Sequence, residues 1–338
     1  MQRIPEYLIA RLRGIDYQAA AWLFCLSAGL LALARAASPV PVLLADRFLP
    51  GSGPAQILAL GLYACFAGHK LLHARRPART RSLIWALFSL VFFTQLALGL
   101  AGMERMLMTG DLHLPIPALI LAGPIYRGQG LFMPVLFGIT LLLVGPAWCS
   151  FLCYMGSWDD RASRIRSGPA REAPVWATHV LRPGLLILIA GAAWLLRSLN
   201  VPAAAAVGLA LGLGLTGVAV MASWSRVAGQ MAHCTVFCPI GLISNLAGRV
   251  SPWRIRIAQG CTVCGRCARA CRYSALKPQD LERGKPGLTC TLCTDCLRAC
   301  PHGLIGLRFP GLEPQQARRA FLILVVSIHA VFLGLARV

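Results

Sequence analysis

Acidic residues are scarce in this sequence, which has 12 Asp+Glu against 33 Lys+Arg. Charged residues make up only 13% of the chain, whereas a soluble domain averages about 25%. The sequence also lacks a nucleotide-binding glycine fingerprint, a phosphate-cradling glycine loop and a nucleophile–base constellation. These absences argue against an ordinary soluble domain and against a nucleotide-dependent or hydrolytic enzyme.

The basic residues give a formal net charge of +21, but they are not gathered into one soluble module. They recur in short blocks between apolar runs, which is the pattern of cytoplasmic loops in membrane proteins. We therefore expect anionic membrane lipid and an acidic redox partner protein as the counter-charges, and no nucleic acid.

Apolar runs dominate the chain, which is 57% hydrophobic. Six runs before a cysteine-rich region are long enough to span a bilayer, which needs about 20 residues, and a shorter seventh run follows it. The predicted spans are 19–36, 54–72, 82–102, 131–148, 181–199, 201–224 and 321–336. The short link "SLNVP" between the fifth and sixth runs predicts a helical hairpin.

Basic residues lie at the N-terminus and in alternate loops. They are Arg3, Arg11, Arg13, Lys70, Arg75, Arg76, Arg79, Arg81, Arg161, Arg164, Arg166 and Arg171. Positive-inside bias predicts a multi-pass protein of the bacterial inner membrane, with the N-terminus and the cysteine-rich region in the cytoplasm. The N-terminal stretch has no clear small-residue cleavage site, which favours an uncleaved first span.

Eight of the 14 cysteines crowd between Cys261 and Cys300. The runs "CTVCGRCARAC" and "CTLCTDCLRACP" both read C-x2-C-x2-C-x3-C. In two-cluster ferredoxins the fourth cysteine of each run ligates the other cluster. The predicted ligands are therefore Cys261, Cys264, Cys267 and Cys300 for one [4Fe–4S] cluster, and Cys290, Cys293, Cys296 and Cys271 for the other. Zinc ribbons also contain C-x2-C pairs, but two identical four-thiol runs favour iron–sulfur clusters.

Two further cysteine pairs repeat at the ends of the fourth and sixth apolar runs, in "WCSFLC" and "HCTVFC". Cys149 and Cys153, like Cys234 and Cys238, are spaced i and i+4, which on an α-helix places both thiols on one face. If the two helices are neighbours, the four thiols meet at the membrane edge as a third metal centre or a dithiol relay. The alternative is that these small apolar residues only pack in the bundle.

The stretches "WCSFLCYMGSWDD" and "HCTVFCPIG", followed by a two-cluster ferredoxin segment, carry a family resemblance. The chain resembles the membrane-bound ferredoxin-type proteins of periplasmic nitrate reductase systems (NapH), with relatives in methylamine utilisation (MauN) and in the membrane half of NosR. Only the second motif keeps the family pattern C-x3-C-P, with Pro239, because the first has Tyr154. The resemblance implies quinol oxidation and a periplasmic reductase or a ferredoxin-type subunit as redox partner.

The expected fold is mainly α, a polytopic transmembrane bundle of about six helices plus a C-terminal one, with a cytoplasmic two-cluster ferredoxin-like α+β domain. We expect a transmembrane domain at 1–225, the second border motif with the ferredoxin-like domain at 226–318, and a C-terminal transmembrane helix at 319–338. The expected function is electron relay between the cytoplasmic clusters and quinone or a periplasmic redox enzyme.

An alternative function is an assembly factor that reduces copper or a disulfide while an oxidoreductase matures. The border cysteines and the outer stretch "GMERMLMTGDLH" would then be the working groups, because thioethers suit Cu(I). The outer candidates are Met103, Met106, Met108 and His113, and Glu104, Asp111 or His113 could accept a proton from a quinol.

Overall fold

The computed structural model describes residues 16–107 and 114–335. Within these residues, seven helices are long and apolar enough to span a membrane. They are Tyr17–Ala37, Gly53–Leu72, Pro77–Leu100, Phe132–Leu152, Ala177–Ser198, Ala203–Ala228 and Pro314–Gly334. Each overlaps one of the seven predicted spans, so the mainly helical, multi-pass architecture is confirmed. The basic N-terminal residues Arg3, Arg11 and Arg13 lie outside the described residues.

The described elements are mostly helical. The helices are α1 (Tyr17–Ala37), α2 (Leu44–Phe48), α3 (Gly53–Leu72), α4 (Pro77–Leu100), α5 (Leu119–Arg127), α6 (Phe132–Val144), α7 (Tyr154–Ile165), α8 (Arg182–Ser198), α9 (Ala203–Val220), α10 (Arg226–Ala228), α11 (Pro239–Ala247), α12 (Arg266–Ala270), α13 (Pro278–Glu282) and α14 (Pro314–Gly334). The strands are β1 (Arg254–Ile257) and β2 (Ile305–Arg308). Turns of 3-10 helix lie at Glu104–Met106 and Gly145–Ala147, and π-helical turns at Trp148–Leu152, Ala177–Leu181, Met221–Ser225 and His233–Phe237.

The last helix, α14, lies inside the bundle and packs against α1 and α3. Its buried His329 joins two other elements, because its ring nitrogens lie 3.0 Å from the Tyr63 hydroxyl and 2.9 Å from the Phe151 carbonyl oxygen. A helix that follows the cysteine-rich segment in sequence therefore closes the bundle around the end of the fourth span.

Helices α8 and α9 lie at the periphery, where most of their residues remain exposed and apolar. Helix α8 packs mainly against α5 and α11, whereas α9 continues into the turn Met221–Ser225 and packs against the turn His233–Phe237. The predicted hairpin packing of the fifth and sixth spans is wrong, because each helix finds its main contacts on other elements.

The cysteine-rich segment is bracketed by the antiparallel pair of β1 and β2, in which Arg254 lies opposite Arg308 and Ile257 opposite Ile305. In "RIRI" the isoleucines of β1 point into the core and the second arginine points to solvent, as the two-residue period of a strand requires. One hydrophobic core is continuous from the spanning helices into this segment. The segment therefore packs directly on the ends of the helices.

Candidate iron–sulfur site

Two cavities inside the cysteine-rich segment are each lined by four cysteines. The first is lined by what we call the outer cradle: Cys261, Cys264, Cys267 and Cys300. The second is lined by the inner cradle: Cys271, Cys290, Cys293 and Cys296. Each cradle takes three cysteines from one run and the fourth from the other run. The structure thus brings together the same two groups of four that the spacing indicated.

Both cysteine runs bend around their cavity through left-handed backbone positions. Val263 and Gly265 have φ angles of 51° and 72°, and Leu292 and Thr294 have φ angles of 54° and 64°. For a side chain other than glycine, and above all for β-branched Val263, this conformation costs on the order of 1–3 kcal/mol. Such turns direct backbone N–H groups at an anionic ligand, as around many iron–sulfur sites. Because the backbone has the same conformation in both cysteine runs, the two cradles suit the same kind of anionic group.

The two cradles differ in burial. Cys264 of the outer cradle is exposed, whereas Cys293 and Cys296 of the inner cradle are buried. Burial raises the pKa of the Cys290 thiol to about 12 and also raises the pKa of Cys293. Bare thiolates are therefore unfavourable in the inner cradle, and a metal centre that neutralises them would restore the thiolate form.

An all-thiolate donor set fits iron–sulfur clusters or zinc. Within residues 16–107 and 114–335, no three His, Cys, Asp or Glu side chains converge closely enough to hold a single metal ion. The four-cysteine lining of each cavity, with backbone N–H groups beside the sulfur atoms, fits a polynuclear cluster. One such N–H group, from Ala275, donates to the Cys271 sulfur at 3.4 Å.

The border pairs lie in π-helical turns rather than in regular α-helices. The Cys153 amide donates to the Trp148 carbonyl at 3.0 Å, and the Cys238 amide donates to the His233 carbonyl at 2.7 Å. Both second cysteines then adopt an extended backbone, with ψ of 111° and 118°. The expected placement of each pair on one face of an α-helix is wrong, because the helix breaks at the second cysteine.

The two border motifs nevertheless pack in one buried region. Cys149, Cys153, Cys234 and Cys238 are all buried. Burial raises the pKa of Cys153, and the neighbouring thiols of Cys149 and Cys238 raise it further. Burial also raises the pKa of Cys234, and Asp159 and the other three thiols add to the effect. The Cys234 amide donates at 2.9 Å to Asp159, which lies just after the first border motif, so the two motifs pack side by side as one border site.

The border site lies directly beside the inner cradle. The Ser150 hydroxyl donates to the Thr291 carbonyl at 3.0 Å, and the Asn245 side-chain amide donates to the Cys290 carbonyl at 3.2 Å. The Tyr273 hydroxyl donates to the Cys149 carbonyl at 3.5 Å. The order from solvent towards the helices is therefore outer cradle, inner cradle and border site.

A buried ion-pair network fastens the inner cradle to the spanning helices. Arg81 of α4 lies 3.0 Å from Asp160 and 2.9 Å from Asp295, which is part of the second cysteine run. Arg164 contacts the same two carboxylates at 2.8 and 2.9 Å. Burial alone would raise the pKa of Asp160, but the charges of Arg81 and Arg164 lower it below its usual range.

A second buried carboxyl supports the border site. Asp159 accepts hydrogen bonds from the Cys234 amide at 2.9 Å and from the Ser225 hydroxyl at 2.5 Å. Burial raises the pKa of Asp159 to about 6, although these two donors oppose the shift. The carboxyl thereby ties α7 to the second border motif.

Sequence reasoning missed the residues that hold the site together: Arg81, Asp159, Asp160 and Asp295, and also Arg182, which donates to the Cys234 and Cys238 carbonyls. Their signal was the placement of scarce carboxylates, in "WDD" after the first border motif and in "CTDC" inside the second run. In a chain with 12 acids, carboxylates beside cysteine motifs indicate buried partners for arginine.

The outer-loop candidates are only partly described. Met103 is exposed, and Glu104 and Met106 belong to the 3-10 turn beyond α4. Met108, Asp111 and His113 lie outside the described residues, so their predicted roles stay predictions.

Comparison with known proteins gives two matches. The family described as "4Fe-4S binding domain" matches residues 130–169 and 209–258, the segments that contain the border pairs. The "Methylamine utilization ferredoxin-type protein MauN" of Methylorubrum extorquens is 26% identical over 165 residues, 45% of this chain. The match spans 56% of the length of that relative. No solved structure matches the chain. Both matches agree with the resemblance to MauN/NapH-type ferredoxin proteins that the sequence motifs carry.

Proposed function

We propose that the chain is a membrane-bound electron-transfer protein that holds one [4Fe–4S] cluster in each cradle. The observation that carries the proposal is the crossed arrangement of eight cysteines around two neighbouring cavities. A bound cluster accepts and releases one electron at a time, while the protein supplies position and potential. The resemblance to a ferredoxin-type protein supports the same chemistry.

The outer cradle suits exchange with a soluble redox partner. Cys264 is exposed, and Arg266 and Arg269 beside it are exposed as well. Such a basic surface attracts an acidic partner protein. Two other arginines of the runs are structural, because Arg272 donates to the Gly229 carbonyl at 3.0 Å and Arg298 to the Ala74 carbonyl at 2.8 Å.

The border site suits the other end of the path, towards quinone or a periplasmic redox enzyme. Its cysteines act either as a third metal centre or as a dithiol relay. Positive-inside bias supports a cytoplasmic position for the cradles in a bacterial inner membrane. Quinol would then be oxidised at the membrane, and electrons would pass between the border site and the two cradles.

The proposal is tested with the purified full chain in lipid nanodiscs. We expect a short-chain quinol, or a reduced soluble ferredoxin, to bleach the visible absorption of the clusters. A Cys264→Ser variant should lose the outer cluster and slow exchange with the soluble partner. Intact clusters that neither donor reduces would refute the proposal.

Replacing Cys234 and Cys238 by serine separates electron relay from the assembly function. Electron relay predicts that quinone-linked reduction of the clusters is lost in this variant. Assembly predicts that this reduction persists, while copper or disulfide reduction for a maturing enzyme is lost.

A further inference from the structure

Arg182 is a buried cation whose contacts are neutral. It is 1% exposed, and it donates to the Cys234 carbonyl at 2.6 Å and to the Cys238 carbonyl at 3.2 Å. Its third contact is the side-chain oxygen of Asn245 at 3.0 Å. Among the described residues, no carboxylate forms an ion pair with it.

A second fully buried arginine among the described residues provides a comparison. Arg81 is 2% exposed and is neutralised by two carboxylates, Asp160 and Asp295. A buried charge without a partner is strongly unfavourable, and proteins compensate it with an opposite charge. Arg182 therefore needs an anion that the carbonyl groups do not supply.

The border thiols are the groups in reach. Arg182 donates to the backbone carbonyls of Cys234 and Cys238, which places its guanidinium against the second border motif. Asp159, the carboxyl beside Cys234, is already engaged by the Cys234 amide and by Ser225. Neutral thiols or a disulfide would leave Arg182 uncompensated, whereas thiolates bound to metal carry the negative charge that it lacks.

The backbone makes room for this contact at Gly241. A Cβ atom there would lie 2.5 Å from the Arg182 Nη2 atom and 2.8 Å from the Cys234 carbonyl oxygen. Asn245, which accepts from Arg182, also donates to the Cys290 carbonyl of the inner cradle at 3.2 Å. Arg182 is thus bonded to the second border motif and, through Asn245, linked to the inner cradle.

We propose that the four border cysteines hold an anionic iron–sulfur centre and that Arg182 is its positioning counter-cation. This inference rests on the proposed electron-transfer function, and it selects a metal centre over a dithiol relay. An iron–sulfur centre also agrees with the 4Fe-4S family match over both border motifs.

The test compares iron content and EPR-monitored redox titrations of full-length variants. Two cubane clusters require about eight iron atoms, and wild type should contain more iron than that. The iron content of Arg182→Gln should equal that of a variant in which Cys234 and Cys238 are replaced by serine. Both variants should keep the EPR signals of the two cradles. Any border centre that remains in Arg182→Gln should titrate at a lower potential, because reduction adds negative charge. Arg182→Lys should restore the iron, and Arg197→Gln, an exposed site on the same helix, should match wild type.

Three results would overturn the inference. The first is that wild type contains no more iron than the variant with Cys234 and Cys238 replaced by serine. This comparison holds even if Arg182→Gln fails to fold. The second is Arg182→Gln with wild-type iron and an unchanged potential. The third is that the EPR signal of the border centre is unchanged in Gly241→Ala, a substitution that displaces the guanidinium of Arg182. If wild type itself showed no EPR signal from either cradle, the proposed function would be refuted instead.

Discussion

Replacing Asp160 by asparagine tests whether the buried ion-pair network holds the inner cradle in place. The change removes one of two carboxylates that Arg81 and Arg164 share, and it preserves the size of the side chain. Both arginines are then left with Asp295 alone, at 2.9 Å from each. Arg81 is the more affected, because its side chain is only 2% exposed.

The expected loss is about 3–5 kcal/mol in the free energy of unfolding, since breaking a buried pair leaves an uncompensated charge. The matched control is Glu172→Gln, which removes the exposed ion pair with Lys277 at 2.9 Å. An exposed pair contributes about 0–1 kcal/mol. SDS titration of the protein in mixed micelles measures both variants, and EPR follows the inner cluster.

The difference between wild type and Asp160→Asn should not shrink as the pH falls from 8 to 5. The pKa of Asp160 lies below its ordinary value because the charges of Arg81 and Arg164 outweigh burial. Its contribution is therefore complete above the unfolded pKa and is lost only as the pH falls through the lower folded pKa. A loss no larger than that of Glu172→Gln, or one that fades between pH 8 and pH 5, would refute the reasoning.

Three further predictions concern the cradles and their support. Cys271→Ser and Cys293→Ser should abolish the same EPR signal, whereas uncrossed ligation would assign them to different signals. Val263→Gly should stabilise the protein by about 1 kcal/mol, because it relieves a left-handed β-branched residue, and a loss in thermal unfolding would contradict this. Gly156→Ala should destabilise by about 1–3 kcal/mol, because a Cβ would lie 2.6 Å from a ring carbon of Trp85, and an unchanged melting temperature would contradict it.

The spanning helices and the cradle groups were predictable because their signals are local. A bilayer requires a long uninterrupted apolar run, and each of the seven runs produced one helix. The two cysteine runs repeat one spacing, and their crossed grouping follows from how two such runs pack. Neither inference needed knowledge of which helices are neighbours.

The backbone at the border cysteines was not predictable from spacing alone. Residues four apart share a face only if the α-helix continues, and here a π-helical turn ends at Cys153 and at Cys238. Pro239 gives a reason at the second motif, because proline favours the first turn of the new helix α11. Tyr154 offers no such signal at the first motif.

The buried charges were hidden for a different reason. Arg81 and Arg164 lie at helix ends, where positive-inside bias also places solvated arginines, and sequence does not distinguish the two. Arg81 is buried because Asp295 reaches it from a segment 214 residues away. Only tertiary packing brings these charges together.

The central claim is that eight cysteines hold two iron–sulfur clusters in crossed cradles. Metal analysis combined with EPR of the dithionite-reduced, purified full chain tests it most directly. The account predicts at least about eight iron atoms per chain and the signals of two reduced [4Fe–4S] clusters. A colourless protein that contains zinc and gives no EPR signal would contradict it.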